Sequence, residues 1–165
     1  KPLFIYEGLE RFDGPLLWVD ADGTGLQKLN LDLGDSDLGL YFNNTETKHA
    51  RNATIYVAPT KKTKDFMLLW HETLQKLNHP HKKKLTPDQP VMISLLREGK
   101  IPLKIGQLPL AYMHIFDRDT LPIEEAVIIH FQASRTAKMN QIFWEHLSGR
   151  ELKAMRMSAS HQKEI

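Results

Sequence analysis

The chain has 165 residues, 41% hydrophobic and 25% charged, a composition that sets aside disordered and membrane-embedded classes and suits one domain with its own core. A formal net charge of +2 is too small to argue for a nucleic-acid surface, and no apolar run approaches the ~18 residues of a membrane helix. Cysteine is absent, so disulfides and thiolate metal sites are excluded, and any metal must be held by carboxylates, imidazoles or carbonyls.

In chain order, the apolar spacing of Leu3, Phe4, Ile5 and Leu9 predicts a helix over 3–11, opening on Lys1-Pro2 and closed by Asp13-Gly14-Pro15. Leu16-Leu17-Trp18-Val19 is apolar on both faces, which predicts a buried, central, parallel strand. It runs into Asp20-Ala21-Asp22-Gly23-Thr24-Gly25, read as a polar loop at the strand's C-terminal end, where open α/β sheets place ligands. Strands are predicted over 38–42 and 54–57. Pro59-Thr60 then precedes a long amphipathic helix with Phe66, Leu69, Trp70, Leu74 and Leu77 at core spacing. Thr86 is the expected N-cap and Pro87 the first residue of a helix reaching about Arg97 and ending at Gly99. Further strands are predicted over 101–105, within 108–115 and over 126–130. A last helix is predicted over 137–147, with a polar tail over 148–165. The class is α/β with a mixed, mainly parallel sheet flanked by helices, as one domain over 1–147.

Four constellations can carry chemistry. Asp20 and Asp22, one residue apart at a strand end, can both reach a hard divalent cation, Mn²⁺ or Mg²⁺. Asp88 and Gln89 open a helix, whose N-terminus favours and orients an anionic side chain. His130 ends a strand, where a neutral imidazole makes a third metal ligand. Arg135 and Lys138 follow as donors suited to a diphosphate. The lysine groups at 61–64 and 82–84 read as solvated helix ends, and Trp18 and Trp70 as core residues rather than stacking platforms. A calcium loop over the same aspartates fails because Leu31 stands where a glutamate ligand is required. Val19-Asp20-Ala21-Asp22-Gly23-Thr24 is also similar to the nucleophile motif of haloacid dehalogenase-like phosphatases, with Asp20 as nucleophile. That alternative lacks a late acidic pair, since the late strand ends in His130-Phe131-Gln132. An inactive binding module is a third reading.

The order of three motifs resembles the nucleotide-diphospho-sugar transferase (type-A glycosyltransferase) fold. They are Leu16-Leu17-Trp18-Val19-Asp20-Ala21-Asp22, Pro87-Asp88-Gln89 and Ile128-Ile129-His130-Phe131-Gln132-Ala133-Ser134-Arg135. The resemblance implies a sugar passing from a nucleotide-sugar donor to a carbohydrate or other hydroxyl acceptor. It implies a metal at Asp20, Asp22 and His130, Asp88 near the transferred sugar with Gln89 beside it, and Arg135 and Lys138 at the diphosphate. Gln132-Ala133-Ser134 stands where the family pattern has a glycine-containing turn. The base-binding βα units of such a fold precede the Asp-x-Asp strand by roughly a hundred residues. The chain therefore reads as N-terminally truncated, and zero cysteine with no secretory pattern reads as cytoplasmic.

Overall fold

A computed structural model describes residues 1–43, 50–78, 86–116 and 118–131. The opening helix, α1 (Pro2–Arg11), carries its proline in the first turn, where the missing N–H has no intrahelical partner to lose. Strands β1 (Leu16–Val19), β2 (Gly23–Gly25), β3 (Leu38–Phe42) and β4 (Ala50–Val57) follow. Helix α2 (Lys61–Leu77) starts in a capping box between Thr60 and Thr63, which satisfies two amides that the helix leaves open. Helix α3 (Asp88–Glu98) ends at Gly99, whose φ of 64° is the left-handed conformation that glycine adopts without strain. Short strands β5 (Ile105–Gln107), β6 (His114–Ile115) and β7 (Ile128–His130) complete the described strands.

The strands form two sheets, ordered β1-β4-β3-β5 and β2-β7-β6. Both are mixed, as expected. β3–β5 and β6–β7 are parallel, whereas β1–β4, β3–β4 and β2–β7 are antiparallel. β1 departs from its expected place: it is half-buried, lies at one edge of the described sheet and runs antiparallel to β4. Its two apolar faces have another cause. Leu16 and Trp18 pack on the helical core, while Leu17 and Val19 pack on a second core between the sheets. Coverage on both sides makes a strand apolar throughout, whichever way its neighbour runs.

The first core centres on fully buried Trp70, Phe66, Leu38, Leu40, Ile55 and Met92, and joins α1, α2 and α3 to the four-stranded sheet. Trp70 is a core residue, as read, and its indole N–H donates to the Asp88 carbonyl at 3.2 Å. Burying a side chain of this kind stabilises the fold by about 1.5–3 kcal/mol.

Four local expectations change. β4 begins at Ala50 rather than at residue 54, which carries Arg51 and Asn52 into the sheet. α3 begins at Asp88 with Pro87 as its cap, and the Thr86 amide donates instead to Asn78 Oδ1 at 2.6 Å. No strand forms over 101–104, because Pro102 offers no amide and Asp37 takes the Lys104 amide at 2.9 Å. Gly23–Gly25 is a strand, not a loop. The helix expected over 137–147 and the tail after it lie outside the described residues.

Candidate active site

β2 assembles the site. It pairs antiparallel with β7, placing Gly23 opposite His130 and Thr24 opposite Ile129. The Phe131 amide donates to the Asp22 carbonyl at 3.2 Å, extending the contact by one residue. As a result Asp22 Oδ1 lies 3.4 Å from His130 Nδ1, although 108 residues separate them. The other ring nitrogen, Nε2, shares a 2.7 Å hydrogen bond with Thr54 Oγ1 of β4. His130 is fully buried. Burial pushes its pKa below the usual histidine value, against the pull of Asp22 and Asp20, so the ring is neutral at pH 7.

Asp20 is held differently. Its amide donates to the Ala53 carbonyl at 2.8 Å, and its Oδ1 accepts the Trp18 indole N–H at 2.7 Å. Lys1 Nζ lies 2.8 Å from Oδ1 and 3.1 Å from Oδ2. The same ammonium donates to the Asn52 carbonyl at 2.9 Å and stands 3.3 Å from Asp88 Oδ2. With its side chain only 9% exposed, Lys1 ties α1, β1, β4 and α3 together at one charged point. Trp18 spends its polar atom on Asp20 and is positioned by it.

A cleft of about 660 Å³ opens over this arrangement. Asp20, Asp22, Gln89 and His130 line it, and Gln89 is fixed by donating from Nε2 to the Ala50 carbonyl at 2.9 Å. Asp88 is not among the residues lining the cleft; it is linked to Asp20 through Lys1. Arg135 and Lys138 lie outside the described residues. The cleft also holds Arg51, Asn52 and Arg118, none of which the sequence singled out. Arg51 and Asn52 sit in the part of β4 that strand propensity did not reveal. Asn52, 5% exposed, is a strand residue whose side-chain Nδ2 finds no partner among the described residues.

The fit of a divalent cation follows from these contacts. Among the described residues, no three carboxylate or imidazole groups converge as a ready metal site. Asp22 and His130 do converge, and they offer a hard oxygen and a neutral nitrogen whose ring is oriented from behind by Thr54. Asp20 fits by chemistry, but both its oxygens are engaged by Lys1.

The nucleotide-diphospho-sugar transferase family matches residues 31–142. The chain belongs to that family. The matched span contains Asp88, Gln89, His130, Arg135 and Lys138, and starts after Asp20 and Asp22. Two solved structures share the fold. One is a glycosyltransferase involved in glycosylating the major capsid of PBCV-1, with a TM-score of 0.60 at 15% identity, over 84% of this chain and 73% of that one. The other is the apo form of the glycosyltransferase GlyE of Streptococcus pneumoniae TIGR4, with a TM-score of 0.57 at 14% identity. That match takes in 96% of this chain and 46% of GlyE. No curated protein matches significantly. The transferase class is thus a sugar-transfer enzyme with a mixed α/β fold, and the family match lies with it rather than with the phosphatase alternative. No helix among the described residues is long and apolar enough to cross a membrane.

Proposed function

We propose that the cleft transfers a sugar from a nucleotide-diphosphate donor to a hydroxyl acceptor, with a divalent cation, Mn²⁺ or Mg²⁺, held by Asp22 and His130 and completed by Asp20. The observation that carries this reading is the convergence of Asp22 and His130 on one wall of the cleft. When bound, the cation would supply positive charge against the diphosphate as it leaves.

The chain's own groups take the remaining roles. The acceptor oxygen bonds to the anomeric carbon, the bond from that carbon to the diphosphate oxygen breaks with its electron pair, and the acceptor proton leaves to a base. We assign the base to Asp88, the carboxylate that Lys1 couples to Asp20. Gln89 and Asn52 offer amides to the sugar hydroxyls from the cleft wall. Thr54 fixes the imidazole through Nε2 and leaves Nδ1 facing Asp22. Arg135 and Lys138, just past β7, remain candidates for the diphosphate.

Calorimetry tests this reading. We expect binding of UDP- or GDP-sugars that depends on Mn²⁺ and is lost in Asp22→Asn. Absence of any metal-dependent nucleotide-sugar binding by the intact protein would overturn it.

A further inference from the structure

The charges around the cleft do not balance once a diphosphate enters. Asp20 and Asp22 already line it. Among the described cations nearby, Lys1 is engaged by Asp20 and Asp88. Arg51 is closed in a two-point pair with Asp119, Nη1 to Oδ2 at 2.6 Å and Nη2 to Oδ1 at 2.8 Å. Arg118 differs from both. It lines the cleft, is exposed, and has no carboxylate within ion-pair distance among the described residues.

Its backbone is nevertheless held firmly. The amides of Arg118 and Asp119 both donate to the Ile115 carbonyl, at 3.1 and 3.0 Å. Asp119 Oδ2 accepts the Ile115 amide at 2.7 Å, so this carboxylate closes the turn while Arg51 anchors it to β4. The Arg51 guanidinium lies 4.9 Å from the centre of the Tyr41 ring, which fixes it from the far side. A tethered backbone thus presents to a cleft with acidic walls a guanidinium that pairs with no carboxylate among the described residues. A planar guanidinium matches two phosphate oxygens at once, and an ordered backbone reduces the entropy lost in that contact.

We propose that Arg118 binds the diphosphate of the donor, and that the Arg51–Asp119 pair is the positioning device that presents it. The proposal rests on the donor reading above and assigns a residue that the sequence did not suggest.

The test is titration of the intact protein with UDP and with GDP in the presence of Mn²⁺. We expect Arg118→Gln to weaken the preferred nucleoside diphosphate about tenfold or more, as for loss of a charged hydrogen bond, and Arg118→Lys to recover part of that. Asp119→Asn should weaken binding in the unaltered background and add little in the Arg118→Gln background, a non-additivity that a merely structural role would not give. Unchanged affinity in Arg118→Gln, with binding lost in Asp22→Asn, would overturn this proposal and leave the donor reading standing. Additive losses would remove the positioning role. If the unaltered protein binds neither diphosphate, the donor reading fails and this proposal with it.

Discussion

Gly23 lies directly opposite His130 in the β2–β7 pair, so close that a Cβ on residue 23 would collide with Val19 Cγ1 and stand 2.9 Å from the imidazole Cε1 and 3.1 Å from the Asp20 carbonyl oxygen. The glycine therefore lets β2 pass close to both Val19 and the histidine. For Gly23→Ala we expect a destabilisation of about 1–3 kcal/mol from overpacking, read by urea unfolding, with loss of Mn²⁺-dependent donor binding. An unchanged unfolding midpoint with full binding would show that the strand pair absorbs the methyl and that the glycine has no such role.

Thr54→Val should separate ligand orientation from ligand identity. The change keeps the shape of a fully buried residue and removes the hydroxyl 2.7 Å from His130 Nε2. Loss of such a partner lowers metal affinity by about 10–100-fold. Mn²⁺ titration followed by calorimetry checks it, and an affinity equal to that of the unaltered protein would count against His130 as a ligand.

Lys1→Met would leave Asp20 and Asp88 without the ammonium that stands between them. We expect transfer to fall about a hundredfold, of the size seen when a positioned electrostatic group is removed, with Lys1→Arg retaining part. Single-turnover rates measure the effect directly. Equal rates in Lys1→Met would show that the bridge is incidental.

Asp119 and Arg51 are both buried, with side chains 6% and 10% exposed. Arg51→Leu leaves a carboxylate in the fold without its cation, and breaking one side of such a pair costs about 3–5 kcal/mol. Replacing both partners by apolar residues should cost less than replacing Arg51 alone. Equilibrium unfolding of Arg51→Leu and of the double variant, each against the unaltered protein, decides between these outcomes.

Stability should fall on mild acidification, and His114 is one cause. Burial pushes the pKa of this strand residue below the ordinary 6.5, Asp119 acts in the opposite direction, and Arg51 reinforces the drop. The unfolded chain then takes up the proton more readily than the folded one, so stability is full above pH 6.5 and declines as pH falls through it. Asp119 acts lower. Burial raises its pKa, but Arg51, the Ile115 amide and His114 outweigh that and hold it below 3.8, so its contribution is lost only in stronger acid. Melting temperatures between pH 7.5 and 5 should decline in the unaltered protein and decline less in His114→Leu. His130, also shifted downward, acts in the same direction.

The sequence by itself determined the class of fold and the ends of its longest elements. α1, β3 and α2 lie where apolar spacing and Thr60 put them, and the Gly99 stop is a property of one residue's backbone freedom. It also supplied Asp20, Asp22, Gln89 and His130, because polar residues at the ends of apolar strands or at a helix start stand out locally. Tertiary structure alone decided what those residues meet. Nothing near Gly23 announces a partner 107 residues away, and a three-residue glycine strand has no apolar alternation to betray it. Lys1 gave no local sign of its site role, and Arg51 and Asp119 gain meaning only once the chain folds β4 against the turn before β7. Asp20 and Asp22 are neighbours in sequence and line one cleft, but they meet different partners. Asp22 turns to His130 while Asp20 is held by Trp18 and Lys1, because the chain turns between β1 and β2, with the Gly23 amide donating to the Asp20 carbonyl at 2.8 Å, and the two carboxylates leave that turn toward different partners.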